Sequence, residues 1–495
     1  MTVLSAVQKQ AKQTPDQLAL HTCEQDLSYR QLYQQVVQLG GQLQRLQAPV
    51  IGLLADNSQQ WVVTDLACRH AVVGLLPIPT FFSSQQIQHT VLSAGLSYIL
   101  TDDPYRLLNT PVICACKLSQ NRSQLTLLQC QTPNTKPADT PTGTSKITFT
   151  SGSTGRPKGV CLDNTQQDLV AQALVDAIGL HAPRHLCLLP MSTLLENLAG
   201  IYAPLLAGGT IITPTLTELG YQGSSLASLP QLLSTISRYQ PQSMILIPQL
   251  LLALVAATAQ GWQVPESLQF IAVGGGKVAP ALLHQARTLG LPVFEGYGLS
   301  ECASVVSLNT ASAQQAGSIG KPLAGREVTI VDGEIIIKGA TFSGYLNDPD
   351  SWHPTQVASG DLGYFDDQGF LHISGRKKNL IVSSYGRNIS PEWVESEVLA
   401  SPLLEQCVVL GDARPYCVAL LWPRESTTTD QQISHWIKQV NTALPDYAQI
   451  KNWHRLDEPL HHEQGLLTSN GRPKRAAIQR NFAATIEQYY TRKAV

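Results

Sequence analysis

Hydrophobic and polar positions alternate along the chain in blocks typical of strands followed by helices. The stretches 58–73 and 83–94 have helical periodicity, and they separate short apolar runs at Val50–Leu54, 75–79 and Tyr98–Thr101. The same rhythm returns further on, with apolar runs at 211–213, 244–247, 270–273 and 293–295. Strands that alternate with helices form βαβ units, so the pattern predicts parallel sheet covered by helices.

The pattern changes to short strands and turns between residues 327 and 373. Two apolar runs flank Asp332-Gly333, a pair that favours a tight hairpin. We therefore expect a β-rich subdomain at about 318–375. A fresh α/β pattern follows, so we predict an α/β fold with a domain 1–375, built of α/β subdomains plus the β-rich one. We also predict a small C-terminal α+β domain at 376–495.

Composition narrows the function classes. The chain has 495 residues, of which 43% are hydrophobic and 14% charged, and its net charge is −2 without a long basic run. No nucleic-acid partner is expected. The ten cysteines lack metal-ligand spacing, which predicts reduced thiols in a cytoplasmic protein. No apolar run reaches spanning length, so we expect no transmembrane segment, with peripheral membrane contact left open.

The segment 147–160 reads ITFTSGSTGRPKGV and is the sharpest motif in the chain. An apolar strand leads into a loop whose hydroxyls, backbone N–H groups and single cation can hold an anion. It is not a Walker loop, which requires Gly-Lys-Ser/Thr. The candidate phosphate-binding residues are Thr150, Ser151, Gly152, Ser153, Thr154, Gly155 and Lys158.

This string resembles the signature loop of the acyl-adenylate-forming superfamily, and the chain looks most like its long-chain fatty acyl-CoA synthetases. Further family motifs follow in the family's order. The segment 295–301, EGYGLSE, is similar to the Tyr-Gly-x-Thr-Glu motif. The resemblance implies that Tyr297 and Gly298 contact adenine, that Ser300 binds a phosphate oxygen, and that Glu301 holds Mg²⁺, a cation that prefers carboxylate oxygens.

Two more segments complete the implied nucleotide site. The glycine run Gly274, Gly275 and Gly276 stands where the family has a turn against adenine. The segment 359–363, SGDLG, resembles the family's Thr-Gly-Asp motif, which implies that Asp361 binds the ribose. A carboxylate only accepts hydrogen bonds, so it suits a vicinal diol. Arg376 is implied to reach ribose or phosphate, and the resemblance implies that the C-terminal domain that begins there is mobile.

The last motif is irregular. The segment 466–475 resembles a family segment ending Gly-Lys-x-x-Arg, but the lysine position is occupied by Arg472 and a lysine, Lys474, follows two residues later. Pro473 favours extended backbone at the residue before it, and residues two apart in an extended segment share a face. Our hypothesis is that Lys474 is the functional cation and Arg472 assists it, before a helix at 476–490.

The segment after Leu189-Pro190 is implied to form the acid pocket. Thr193 replaces the bulky aromatic residue or histidine common in the family, and Leu194 and Leu198 make the region apolar. Amino-acid-activating relatives carry an acidic residue at the position of Leu195 in an ungapped alignment, although Glu196 is adjacent. We therefore favour a fatty or aryl acid over an amino acid.

Together the motifs imply a ligase that uses ATP and Mg²⁺. It would activate a fatty or other lipophilic carboxylic acid as acyl-AMP with release of pyrophosphate, and then transfer the acyl group to CoA. One alternative is an acyl-AMP ligase that loads the phosphopantetheine thiol of an acyl carrier protein or another acceptor. A second is a degenerate regulatory protein that binds nucleotide or acyl groups without turnover.

Overall fold

Mixed sheets flanked by helices form the framework of the chain. A computed structural model describes residues 1–108, 125–130, 138–150, 158–223, 225–468 and 471–491. One sheet has the spatial order Lys321–Pro322, Ser307–Leu308, Val293–Tyr297, Phe270–Val273, Ser243–Leu246, Arg184–Leu186, Thr210–Ile212, Leu18–His21 and Asp26–Ser28. A second has the order Gly344–Tyr345, Lys158–Leu162, Lys146–Thr150, Gly74–Pro77, Val50–Leu54, Tyr98–Thr101 and Thr126–Gln129.

Helices cover these sheets, and polar residues fix where many of them begin. Ser58, Ser83 and Ser228 each accept an N–H of the first turn with their side chains, as N-cap residues do. The helices before residue 376 are Val3–Gln13, Tyr29–Gln44, Gln59–Ala71, Ser84–Ser93, Tyr105–Leu108, Asn164–Ile178, Ala203–Leu206, Leu229–Tyr239, Pro248–Ala259 and Pro280–Thr288, with a π-helix at Glu196–Tyr202. The predicted mixture of strands and helices is confirmed.

The predicted hairpin opens an antiparallel sheet. Asp332 and Gly333 have φ of 49° and 77°. Positive φ at both central residues is the requirement of a tight type I′ turn. The sheet has the order Glu327–Val331, Glu334–Lys338, Val357–Phe365 and Leu371–Arg376. Short pairs lie outside the larger sheets, Tyr221–Gln222 with Ser225–Leu226 and Ile381–Val382 with Asn388–Ile389.

The C-terminal part has its own sheet and core. Its strands are Leu404–Leu410, Cys417–Pro423 and Ile450–Arg455, and its helices are Pro391–Val398, Asp430–Ala443, Arg475–Asn481 and Ala483–Thr491. The prediction of one continuous helix at 476–490 is therefore wrong. The chain breaks at Phe482, whose φ of −102° and ψ of 15° leave the helical region. Among the described residues, no helix combines the length and the apolar character needed to cross a membrane.

A buried ion pair anchors the first of the last two helices. Arg475 makes bonds of 2.6 Å to both carboxylate oxygens of Glu395 and also donates to the carbonyl of Val409. Glu395 is only 7% exposed, so its charge depends on this partner. The pair holds the helix that follows the C-terminal motif against the domain core.

Replacing Arg475 with Lys is expected to lower the free energy of unfolding by about 1–2 kcal/mol. A point-like ammonium cannot reproduce the two-pronged contact and gives up one charged hydrogen bond. Urea unfolding measures the change, and the exposed Arg480→Lys in the same helix is the matched control. Equal stabilities of the two variants would show that the pair is not structural.

Candidate active site

Parallel strands bring several motif residues to one edge of the first sheet. Leu246 pairs with Val273, and Val273 pairs with Glu295, so the carboxyl ends of these strands lie side by side. Gly274, Gly275 and Gly276 follow the middle strand. Because Gly275 has φ of +83°, its conformation favours glycine. The glycine turn therefore leaves exposed backbone at the mouth of a cavity.

Gly298, at the end of the next strand, has a different role from the glycine turn. A Cβ at this position would lie 1.5 Å from the carbonyl oxygen of Ser304. No side chain fits so close to backbone. The packing of the chain against itself thus accounts for this glycine, whatever contact it makes with a ligand.

Asp361 lies at the centre of a hydrogen-bonded group on the cavity wall. The hydroxyl of Tyr297 donates to Oδ2 of Asp361 at 2.7 Å, and Nε of Arg376 donates to Oδ1 at 2.7 Å. Burial, together with the charge of Asp361, raises the pKa of Tyr297, which keeps its hydroxyl a donor. Three residues from three motifs, 79 positions apart at most, thus meet at one carboxylate.

The cavity is also lined by a cation, a tyrosine and a carboxylate that contact one another in turn. The ammonium of Lys158 lies 4.5 Å from the ring centre of Tyr345, whose hydroxyl donates to Oε1 of Glu301 at 2.9 Å. Ser300 precedes Glu301 in a short 3₁₀ helix, Ser300–Cys302. The Glu301 carboxylate lines the cavity together with Thr150 and Ser300. This set of oxygens suits Mg²⁺.

The described ends of the glycine-rich loop are paired with each other. Thr150 and Lys158 face each other across antiparallel strands, so the loop starts and ends at the cavity. The predicted phosphate-binding residues between them, Ser151, Gly152, Ser153, Thr154 and Gly155, lie outside the described residues. Tyr345 was not predicted as a site residue, because the pair Gly344-Tyr345 gives no signal of a ligand contact by itself.

The C-terminal motif reaches across to the glycine turn. The guanidinium of Arg472 donates to the carbonyl oxygen of Gly275 at 2.7 Å. Lys474 lines the same cavity, but its amine makes no hydrogen bond or ion pair with the described part of the chain. Arg475, as shown above, turns inward to Glu395. Of the cations in this motif, Arg472 is therefore the one held at the glycine turn.

The predicted acid pocket lies beside the glycine turn. Thr193, Leu194 and Leu195 line the cavity, and a Cβ built on Gly274 would find a methyl of Leu195 at 3.6 Å. Leu198 does not line the cavity. It is fully buried in the main core, because the segment coils into a π-helix that turns this side chain away.

Glu196 does not face the cavity either. Its carboxylate lies 3.1 Å from Nε2 of His185 and accepts the N–H of Leu189 at 3.2 Å. The side chain is fully buried. The acidic residue next to Leu195 is therefore committed to internal partners, and the pocket wall near Leu195 stays uncharged.

A buried polar network, which the sequence did not reveal, ties this pocket to the phosphate strand. Lys146 lies 2.9 Å from Asp65, donates to the hydroxyl of Tyr202 at 2.9 Å and also contacts Asn197. Asn197 donates to Asp65 at 2.8 Å. Lys146 begins the strand that leads into the glycine-rich loop, whereas Asn197 and Tyr202 belong to the π-helix. A lysine in an apolar strand gave no signal of this role.

Glu295 is a buried carboxyl behind the glycine turn. Burial raises its pKa to about 7, although the N–H of Val278 and the charges of Lys277 and Arg287 act in the opposite direction. Its side chain is 5% exposed. The folded protein therefore binds a proton at Glu295 more tightly than the unfolded chain does.

The stability of the protein should fall as Glu295 ionises. Its contribution is fully present below the unfolded pKa of 4.5 and is lost as the pH rises through about 7. We expect a loss of about 1 kcal/mol per pH unit between about pH 5 and pH 7. Urea unfolding of the wild type and Glu295→Gln at several pH values measures it. Glu295→Gln should flatten the dependence of the free energy of unfolding on pH, whereas the exposed control Glu24→Gln should leave it unchanged. If Glu295→Gln also leaves it unchanged, this assignment is contradicted.

Comparisons with known proteins agree with this geometry. Residues 7–346 match the family described as AMP-binding enzyme, and residues 378–494 match the C-terminal domain of AMP-binding enzymes. The chain is 28% identical over 426 residues to a long-chain-fatty-acid–CoA ligase of Mycobacterium tuberculosis, covering 71% of this chain and 70% of that protein. It is 26% identical over 486 residues to a 2-succinylbenzoate–CoA ligase of Bacillus licheniformis, covering 91% and 95%.

Solved structures share the fold over nearly the whole chain. An anthranilate CoA ligase in complex with anthranoyl-AMP superposes with a TM-score of 0.82 at 19% identity, covering 98% of each chain. An amide bond synthetase from Marinactinospora thermotolerans gives a TM-score of 0.75 at 20% identity, covering 97% of this chain and 99% of that one. At these identities the likeness concerns the fold.

Proposed function

Since the chain belongs to the AMP-binding enzyme family, whose members form acyl adenylates, we propose that it is an acid–thiol ligase. It activates a fatty or other lipophilic acid as acyl-AMP with release of pyrophosphate and then transfers the acyl group to CoA. The observation that carries the proposal is the meeting of Tyr297, Asp361 and Arg376 beside a glycine turn, opposite an apolar pocket.

Each part of ATP finds a chemically matched group along the cavity. The glycine turn and the ring of Tyr297 offer a flat surface for adenine. Asp361 offers two acceptor oxygens to the ribose hydroxyls, and Arg376 keeps the carboxylate in place. Lys158 and the glycine-rich loop suit the phosphates, and Glu301 suits Mg²⁺. When bound, that ion supplies positive charge to the phosphate oxygens.

The first reaction joins two anions. A carboxylate oxygen of the acid attacks the α-phosphorus, a new P–O bond forms, and the bond to the β-phosphate oxygen breaks as pyrophosphate leaves. Lys158 and Arg472 both line the cavity and offset the repulsion and the charge that develops in the transition state. No nucleophile from the protein is required.

In the second reaction the thiol sulfur attacks the carbonyl carbon of the acyl adenylate. The C–O bond to AMP breaks, AMP leaves as an anion, and the thiol proton passes to solvent. Water must be kept from the mixed anhydride. Arg472, on the C-terminal segment, contacts the glycine turn, and this contact helps to shield the anhydride until the thiol arrives.

The pocket supports a lipophilic acid over an amino acid. Leu194 and Leu195 line it, and the neighbouring carboxylate of Glu196 is bonded to His185, so it cannot pair with an ammonium group. The relatives named above are CoA ligases for a long-chain fatty acid and for an aryl acid. The pocket favours an apolar acid, and the relatives favour CoA as the acceptor.

A panel of acids tests the substrate class. Medium or long fatty acids and aryl acids should release pyrophosphate at least about 10-fold faster than free amino acids, because each buried methylene contributes about 0.8 kcal/mol. Adding CoA or a phosphopantetheine-loaded carrier protein then identifies the acceptor. Preference for a free amino acid would refute the proposed substrate class. If the thioester forms on the carrier protein and not on CoA, the acceptor is a protein thiol.

A further inference from the structure

The deep wall of the cavity carries a polar cluster that the reaction does not use. Nδ1 of His185 lies 3.0 Å from the hydroxyl of Ser243, and Nε2 lies 3.1 Å from Glu196. A carboxylate only accepts, so Nε2 carries the hydrogen. The π-helix passes directly over this pair, since a Cβ on Gly200 would lie 2.4 Å from Glu196 and 2.7 Å from His185. The cluster is therefore fixed in position.

The strand register gives the depth of the cluster. His185 and Ser243 are partners on adjacent parallel strands. Three residues after Ser243, Leu246 pairs with the residue that precedes the glycine turn. Three strand rises correspond to roughly 10 Å. His185 and Ser243 line the cavity, so an acid whose carboxylate lies near the nucleotide would extend its far end toward them.

A second hydroxyl on the cavity wall lacks a partner. The hydroxyl of Tyr221 is enclosed and has no hydrogen-bond partner within the described ranges, and Tyr221 lines the same cavity. Burial and the charge of Glu196 raise the pKa of Tyr221, so the group stays protonated. An enclosed hydroxyl without a partner is costly, and a ligand oxygen would relieve that cost.

The buried carboxylate of Glu196 behind this wall favours an uncharged ligand group. A second carboxylate on the acid would meet the charge of Glu196. An ammonium would find the Glu196 oxygens already taken by His185 and the N–H of Leu189. A hydroxyl or carbonyl meets neither penalty. The hydroxyl of Tyr221 can donate to either group, whereas Ser243, whose hydrogen is directed at Nδ1 of His185, can accept from a ligand hydroxyl.

We propose that the deep end of the acid pocket binds a hydroxyl or carbonyl group on the substrate, remote from the reacting carboxylate. Ser243 and Tyr221 contact this group, and His185 is a positioning residue that orients Ser243. The substrate class is then an oxygenated lipophilic acid. This inference rests on the proposed function and narrows its substrate.

The test uses fatty acids of one chain length in which a single keto or hydroxyl group is moved along the chain. For the wild type, kcat/KM of pyrophosphate release should peak at one interior position, about 10-fold above the unsubstituted acid. Tyr221→Phe should remove most of this preference in both series and Ser243→Ala should remove it in the hydroxyl series, and each should leave the rate with the unsubstituted acid within about 2-fold. Tyr239→Phe, a buried tyrosine outside the cavity lining, is the matched control.

His185 is tested separately as a positioning residue. His185→Gln should reduce the preference for the oxygenated acid through kcat/KM while the KM for ATP stays unchanged, which a general loss of structure would not do. Equal rates at all oxygen positions, or a preference that survives both Ser243→Ala and Tyr221→Phe, would overturn the inference and leave the proposed function intact. Absence of pyrophosphate release with every acid would instead overturn the proposed function and the inference with it.

Discussion

Replacing Asp361 with Asn should lower kcat/KM for ATP by about 100-fold, close to 3 kcal/mol of lost binding in the transition state. The carboxylate accepts from Tyr297 and Arg376 at 2.7 Å each, and it offers the acceptors expected for the ribose. An amide has one acceptor oxygen instead of two, and its NH₂ group faces a donor. The effect should therefore fall on ATP and leave the KM for the acid nearly unchanged.

The matched control is Asp366→Asn. Asp366 bonds His372 in the same antiparallel sheet but does not line the cavity, so its loss should leave the kinetics for ATP within about 2-fold. Initial rates of pyrophosphate release at varied ATP measure both variants, and circular dichroism checks that they fold. Similar kcat/KM values for ATP in Asp361→Asn and the wild type would remove Asp361 from the nucleotide site.

The second large effect concerns the cations of the C-terminal motif. Arg472→Ala should lower the rate of adenylate formation by about 100-fold, because a charge held at the glycine turn offsets the repulsion of two anions. Lys474→Ala should cost less, about 10-fold, since its amine makes no fixed contact within the described ranges. On the strength of this contact we expect the opposite order from the sequence hypothesis, in which Lys474 was the functional cation and Arg472 assisted it; both roles stay predictions.

Separate assays distinguish the role of these cations from a general loss of structure. Adenylate formation is measured as pyrophosphate release, and the second step as thioester formation from supplied acyl-AMP. Arg472→Ala should impair the first step far more than the second, and Arg472→Lys should restore part of it. The exposed Lys438→Ala is the control. If Lys474→Ala alone impairs the first step, the earlier hypothesis is right; if neither variant does, this motif supplies no catalytic cation.

The motifs could be recognised in the sequence because each combines the residue types that suit one part of the expected ligand. Membership of the acyl-adenylate-forming superfamily, the α/β fold and the assignment as a ligase are confirmed. The hairpin at Asp332-Gly333 could be predicted because positive φ at both positions restricts the residue types. The individual roles at the site stay predictions, as does the boundary at residue 375.

The remaining features depend on packing that no local pattern encodes. Leu195 and Leu198 look equivalent in the sequence, but the π-helix directs one to the cavity and the other into the core. The orientation of Glu196 could not be predicted, because it depends on its contact with His185, eleven residues earlier. The buried Lys146 likewise depends on partners far away in the chain. The choice between fatty, aryl and oxygenated acids likewise depends on how the pocket packs, which the sequence pattern does not encode.

The central claim is that this cavity forms an acyl adenylate, and acid-dependent exchange of labelled pyrophosphate into ATP tests it most directly. The account predicts exchange that requires a lipophilic acid and Mg²⁺, proceeds without any thiol, and drops by about 100-fold in Asp361→Asn. Mass spectrometry of the same mixture should show the acyl-AMP. Absence of exchange with every acid in the panel, in wild-type protein that binds ATP, would contradict the account.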